Sequence, residues 1–537
     1  MKYSKIIMFM LLISIAFSLT AQDVTFYEKY AQKGDKEAMY HLAKCYFDGT
    51  GVEQDFSQAS YWLTKAAKKN YAPAQAELAY CYLYGIGVLK DYKQAWGLAQ
   101  KAIKQKEPEA YYLIALMYKD GLFVKQNTTE FIQYMNCSAS LGYDVAQLEM
   151  ARLLLLGDEQ LAIERNIRQG LKLLEKAANQ NNAEALLRLG MLYNNGIEGY
   201  VLKDQEKGFQ YIQAAANMGH PRALYEYGYA KLYGYGCDKD VSEAYSYISA
   251  AAENEIPDAF KVMGDLYRYG YVYGIAQDYE AAAQWYQKAV NARYGEAYPS
   301  LASLYMDGKG VAKNIERAYQ LFRLAADAGV VGGYAGLGNC YEYGIVVEKS
   351  ISSAIQYYQK AANGGDNSSR VHLYNIYIEG DGVRKDVGKA IQYLRDAADD
   401  GYVYAMYLLG YEYYYGEHIR KDNCQAVNWM AKAANAGAFY AAEELGISYY
   451  LGLEPCQKDY GLAFKYLLLA VQQAYFSGEL EDVKGSTFRY LSNCYRFGRG
   501  TDVDDSLASY YTELAAKYGD DASTEAVKLI RRNEDNQ

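Results

Sequence analysis

The chain has 537 residues, a formal net charge of −10 and a hydrophobic fraction of 51%, with tyrosine in 62 places. Acidity of this size, with no long basic run anywhere, excludes a nucleic-acid partner. A globular chain of this length would divide into roughly three or four domains, but one glycine returns at Gly49, Gly85, Gly121, Gly157, Gly196, Gly234, Gly270, Gly308, Gly344, Gly380, Gly416, Gly452 and Gly498, mostly 36 residues apart. Self-similarity at such a period marks a single solenoid of repeats.

In chain order, residues 1–21 carry Lys2 and Lys5, an apolar run from Ile6 to Leu19 and then Thr20-Ala21. This is the pattern of a secretory signal peptide, with an uncleaved anchor as the alternative. The run is short for a bilayer span, and no later stretch reads as transmembrane. An exported product is therefore expected, periplasmic or extracellular and bacterial, with no stable membrane span once the signal is removed. Residues 22–36 read as an N-terminal edge segment.

The repeat array follows over residues 37–474. In its first copy Ala38, Leu42, Ala43 and Tyr46 fall on one helical face. Gly49 ends that helix and Gly51 tightens the turn. Asp55 then caps a second helix, with Gln58 three residues on, and the pair recurs as Asp91 with Gln94, Asp240 with Glu243 and Asp422 with Gln425. These read as capping boxes. The second helix presents Ala59, Trp62, Ala66 and Ala67 to its partner. A hairpin of this kind cannot bury both faces alone, so each copy leans on the next.

These residues, together with Leu189-Gly190, Leu337-Gly338, Leu409-Gly410 and Leu445-Gly446 and the Gly-x-Gly-Val runs Gly49–Val52, Gly85–Val88, Gly308–Val311 and Gly380–Val383, resemble the Sel-one-like repeat family, relatives of tetratricopeptide repeats. The resemblance covers about Ala38 to Ala516. It implies an all-α fold, an α/α solenoid wound as a right-handed superhelix of about thirteen hairpins, and a scaffold that assembles protein complexes. Departures mark the copies at Ala146 (Leu154 for tyrosine, Glu159 for the second glycine) and Ala223 (Lys231 for tyrosine). Insertions lengthen the loops near Gly199-Tyr200 and Tyr271–Gly274. A further insertion at 475–486 precedes a terminal repeat or cap at 487–530 and a polar tail at 531–537.

Chemistry is thinly represented. His41, His220, His372 and His418 are scattered, and there is no His-Glu-x-x-His, Cys-x-x-Cys or phosphate-binding glycine loop. Some cysteine-rich members of the family are described as penicillin-binding or β-lactamase-like, but no serine here has a lysine three places later. No catalytic residue, cofactor or metal is expected. Cys45, Cys81, Cys340 and Cys494 share one buried slot, and neighbouring copies of a slot lie about 8 to 10 Å or more apart, too far for a disulfide. Cys424 and Cys456, in adjacent repeats, are the pair best placed to bridge. Asn127-Thr128-Thr129 and Asn367-Ser368-Ser369 fit the N-glycosylation sequon, which matters only in a eukaryotic host.

Binding is the better-supported function. Positions two, six and nine after each opening alanine vary from copy to copy and form a stripe on the first helix. On this face stand Tyr40, Tyr80, Tyr112, Tyr225, Tyr229, Tyr407, Tyr411, Tyr414 and Tyr450, candidates for contact with a partner. Tyr46, Tyr82, Tyr267 and Tyr341, by contrast, occupy the repeat's own packing position. The expected partner is a protein; a glycan or peptidoglycan of the cell envelope, stacked on tyrosines, is the alternative.

Overall fold

The computed structural model describes residues 24–454 and 456–534, so the signal segment lies outside the described residues. Among the described residues there are helices and two isolated bridges but no strand. Helices of about 13 residues alternate along the chain, for example Lys36–Asp48 with Phe56–Lys68, Ala72–Tyr84 with Tyr92–Ile103, and Val403–Tyr415 with Asn423–Asn435. They form an all-α array of paired helices. Two compact units are distinguished, one up to Met263 and one from Gly264. The division falls inside helix Pro257–Arg268, away from the 475–486 insertion.

The same local devices build every hairpin in both units. The residue before each second helix folds back, its N–H donating to the carbonyl at the repeat's tyrosine position, as in Asp55 to Tyr46 (2.9 Å), Asp240 to Lys231 (2.9 Å) and Asp422 to Tyr413 (2.9 Å). The side chain of that residue caps the helix. Asp55 accepts from the N–H groups of Ser57 and Gln58, Asp91 from Lys93 and Gln94, and Asp422 from Cys424 and Gln425. The reciprocal half of the expected capping box is replaced at Glu243, whose carboxylate accepts from Tyr227 at 2.8 Å and pairs with Lys231 at 3.0 Å on the first helix.

The tyrosine at that folded-back position stacks its ring on an aromatic of the second helix. Tyr193–Tyr211, Tyr341–Tyr357 and Tyr495–Tyr511 are 5.7, 5.5 and 5.7 Å apart and within 9° of parallel. The alanine pairs, such as Ala66 with Ala67 and Ala397 with Ala398, are buried between the helices.

The glycines divide into two kinds. Gly49, Gly85, Gly234, Gly308, Gly380 and Gly416 end their helices in the left-handed region as expected. Gly157 and Gly196 instead take ψ near 160° and lead into small bridged loops, Asp158↔Ile163 and Ile197↔Val201. Gly270 has no positive φ and opens the turn of 3₁₀ helix Gly270–Tyr273. The second glycine of the turn has a role beyond tightness. A Cβ at Gly87 would lie 1.9 Å from Phe56 O, and one at Gly236 2.0 Å from Gln205 O, so each turn rests on the backbone that starts the preceding repeat's second helix.

The ends are more ordered than the sequence suggests. Residues 24–32 are helical, and Val24 and Ala31 are buried against Met39, Leu42 and Leu63 of the first repeat. The 475–486 insertion is absorbed by lengthening a second helix to Tyr460–Ser477 and adding a 3₁₀ turn at Leu480–Asp482. The last helix, Asp521–Glu534, runs into the stretch expected to be a polar tail.

Candidate functional site

The repeat itself supplies a reference for what each position ordinarily does. Five residues after the opening position stand Ala43, Ala79, Gly338, Gly410 and Gly446, where a small residue admits the second helix. Seven residues after it stand Cys45, Cys81, Met117, Leu153, Cys340 and Ile376, an apolar slot. The second turn glycine is Gly51, Gly87, Gly236, Gly310 and Gly382. Several residues of the second unit depart from these positions, Val346 and Glu454 at the turn-glycine place and Ser448 in the apolar slot among them, and three such departures are Tyr374 in the small slot, Glu412 in the apolar slot and His418 at the turn-glycine place.

Tyr374 comes from the preceding repeat to meet Glu412 and His418. Tyr374 donates its hydroxyl hydrogen to Glu412 Oε1 at 2.5 Å, and His418 Nδ1 lies 3.0 Å from the same oxygen and 3.2 Å from the other. Glu412 is 8% exposed and sits in the last turn of helix Val403–Tyr415, where the helix dipole disfavours negative charge. Burying an unpartnered carboxylate there would cost several kcal/mol, so the tyrosine and histidine are what make the position tenable. Burial, and then the bond to Glu412, push the Tyr374 hydroxyl above its ordinary pKa, so it remains a phenol and a donor.

Beside this trio lies an open pocket of about 300 Å³ lined by Tyr374, Tyr407, Leu408, Tyr411, Glu412, Tyr415 and Glu417. Tyr407 and Tyr411 both donate to Glu444 Oε1 of the next repeat, at 3.1 and 3.0 Å. Their rings are 5.0 Å apart and Tyr415 follows 5.3 Å from Tyr411. A second, smaller pocket of about 200 Å³ adjoins it, with Tyr411, Tyr414, Glu444, Glu454 and Lys484 in its wall.

Comparison with known proteins accounts for the repeat. The Sel1 repeat profile matches thirteen times between residues 36 and 520, from 36–71 to 489–520, in nearly contiguous copies. The chain belongs to the Sel1 repeat family. A protective antigen from uropathogenic Escherichia coli displaying an SLR fold is 27% identical, with a TM-score of 0.56 over 86% of this chain and 96% of that one. Among curated proteins, chitin synthase regulatory factor 1 of Schizosaccharomyces pombe is 27% identical over 159 residues, and chitin synthase regulator SKT5 of Saccharomyces cerevisiae is 27% identical over 146. The matches span 34% and 21% of the lengths of those relatives.

The Sel1 repeat positions chosen from sequence fall into three groups. Tyr407, Tyr411 and Tyr414 line the pockets, although Tyr407 and Tyr411 also tie one repeat to the next. Tyr40, Tyr80, Tyr112 and Tyr229 are half-buried, each packed on a neighbouring tyrosine: Tyr71 at 5.6 Å, Tyr84 at 4.7 Å, Tyr143 at 5.4 Å and Tyr233 at 4.7 Å respectively. Tyr225 and Tyr450 are buried, at 8% and 6% exposure, and do not offer an accessible face. The Arg222 guanidinium covers Tyr225 at 4.9 Å, and Tyr450 is enclosed by Tyr460, Tyr490 and a bond from Arg499.

The expected Cys424–Cys456 bridge is absent: both are free thiols. Cys424 is exposed in the first turn of its helix, whereas Cys456 is buried among Met430, Ala433 and Tyr466. Sequence reasoning missed Tyr374, Glu412, Tyr415, Glu417, Glu444 and the part played by His418. The available signal was a mismatch with the chain's own repeat, above all a glutamate in a slot that in other copies holds an uncharged residue, mostly cysteine, leucine, methionine or isoleucine. Among the described residues no cluster of three or more His, Cys, Asp or Glu is arranged to hold a metal ion, and no helix is long and apolar enough to cross a membrane.

Proposed function

We propose that this Sel1 repeat chain is an exported, non-enzymatic adaptor that holds a protein partner on the first-helix face around residues 367–454. The observation that carries this reading is the convergence of three breaks in the repeat, Tyr374, Glu412 and His418, beside a pocket walled by four tyrosines. A solenoid satisfied only by its own packing has no need of a buried carboxylate there, whereas rigid aromatic walls with hydroxyl handles suit protein contact. The names of the yeast relatives, regulators of another protein, accord with an adaptor role. Export rests on the Lys2, Lys5 and Ile6–Leu19 pattern.

A photo-crosslinking residue placed at Tyr415, which is 61% exposed, should capture one defined protein from envelope or secreted material. The same group at Leu89, 91% exposed in the first unit, should not. Identical capture from both places, or none from Tyr415, defeats the assignment.

A further inference from the structure

Several aromatic rings of the repeats are covered by the chain's own cations. Lys432 lies 3.8 Å from the Trp429 ring centroid, Lys288 4.0 Å from Trp285, Lys207 4.1 Å from Tyr193, Lys389 4.3 Å from Tyr377 and Lys65 4.3 Å from Tyr61. Even Tyr414, one helical turn from the candidate pocket, has Lys421 at 5.5 Å. The four rings of the pocket, Tyr374, Tyr407, Tyr411 and Tyr415, are open to such a contact: among the described residues no lysine or arginine lies over any of them. The pocket wall contains two carboxylates, Glu412 and Glu417, and no basic side chain.

Each part of this arrangement favours positive charge. The π-face of a phenol ring carries negative potential and attracts ammonium and guanidinium groups within about 6 Å. Glu412 is fixed by Tyr374 and His418, and Glu444 behind Tyr407 and Tyr411 accepts from both hydroxyls, which holds the rings in place with a carboxylate close to them. The C-terminal end of helix Val403–Tyr415 adds the negative end of its dipole at the same mouth. Glu417 is exposed at the rim, just beyond that helix end.

We infer that the pocket lined by Tyr374, Tyr407, Tyr411, Tyr415, Glu412 and Glu417 receives a cationic side chain, an arginine or lysine carried by a basic segment of the protein partner. The inference rests on the adaptor reading above and specifies the chemistry of what is adapted. A guanidinium fits the rings by stacking and the rim carboxylate by a charged hydrogen bond.

The test uses the full chain and a fluorescently labelled peptide of alternating glycine and arginine, with a citrulline version that keeps the shape and loses the charge. The arginine peptide should bind saturably, and the citrulline peptide at least about five-fold more weakly. E417Q and Y415A should each weaken the arginine peptide by about five-fold or more, whereas Y415F, which keeps the ring, should not. Tyr415 and Glu417 are exposed, so helical circular dichroism should be unchanged in all three. E164Q, an equal loss of charge at an exposed site in the first unit, controls for bulk attraction to an acidic chain. Equal binding of the two peptides, equal effects of E417Q and E164Q, or no saturable binding overturns the cationic pocket. A protein captured through position 415 whose binding ignores E417Q would leave the adaptor role intact and remove only this inference.

Discussion

The two units use one hairpin but join the first helices of neighbouring repeats differently. Up to Met263 the joints are largely ionic: Lys44 with Glu77 at 3.1 Å, His220 with Glu184 at 3.1 Å, and Arg222 with Asp258 at 2.8 Å. From Gly264 onward ion pairs persist at His372–Glu342 (3.0 Å) and Lys484–Glu443 (3.3 Å), but tyrosine hydroxyls are added to them, Tyr374 donating to Glu412 and Tyr407 and Tyr411 to Glu444. A carboxylate paired with lysine or arginine is neutralised locally, whereas one held by phenols keeps its charge and leaves aromatic faces beside it. The second joint therefore generates a surface with something left to recognise, and the first mainly closes on itself.

What the units share should fail equally in both, and this is the largest expected effect. A Cβ at Gly236 would lie 2.0 Å from Gln205 O, and one at Gly310 2.1 Å from Tyr279 O, both at positive φ. G236A and G310A should each cost about 3 kcal/mol or more, because backbone must move as well as adopt a strained conformation. Urea denaturation with hydrogen exchange to localise the loss would measure it. A cost below about 1 kcal/mol at either site would mean the two units do not share this contact.

The glycine ruler, the capping aspartates and the alanine pairs were legible in the sequence because each acts within one hairpin, through spacing alone. The reason for the second glycine was not, since it concerns the preceding repeat's backbone. Nor was the left-handed residue after many second helices, because Asn70, Lys106, Glu255 and Arg293 fill it where other copies use glycine. In the candidate site, Tyr411 and Tyr414 could be picked from a varying stripe. Glu412 was hidden because the stripe looked only at surface positions, and its partner Tyr374 lies one repeat away.

One buried acid in each unit, Glu109 in the first and Glu342 in the second, should respond to pH in opposite senses, an effect of intermediate size. In the first unit burial, reinforced by nearby Glu77, pushes Glu109 up to about 8 from 4.5, with Lys44 partly offsetting it; Glu107, Tyr40, Tyr143 and Cys81 also face this cluster. Its folded form prefers the proton, so its contribution to stability is complete below pH 4.5 and is lost as pH rises towards 8. E109Q should therefore stabilise the chain by about 2 kcal/mol at pH 8 and change little at pH 5. In the second unit burial alone would raise the pKa of Glu342, but bonds from His372 and Tyr358 outweigh it and hold it below its usual value. That contribution is present above the ordinary carboxylate pKa and is lost as pH falls through the lower folded value. Y358F, which removes the buried hydroxyl bonded to Glu342 and Asn339, should cost about 2 kcal/mol near neutral pH and less in acid. Thermal melts of both variants across pH should diverge in opposite directions, and parallel profiles would erase the distinction.

Salt provides the finest discrimination. Arg222 bonds to both Glu226 and Asp258, but its side chain is 39% exposed, so R222A should cost no more than about 1 kcal/mol at low ionic strength. At 1 M salt the screening length falls to about 3 Å, and most of that cost should vanish. Y407F removes one hydroxyl bond to Glu444 while Tyr411 still donates to it, a loss of about 1 kcal/mol. Because that bond is half-buried and made by a neutral donor, its cost should persist at high salt. Urea midpoints of the two variants at 0.05 M and 1 M salt should therefore converge on wild type for R222A and stay displaced for Y407F. If both recover together, the tyrosine joint is as exposed to solvent screening as the ionic one and the distinction between the two joints fails.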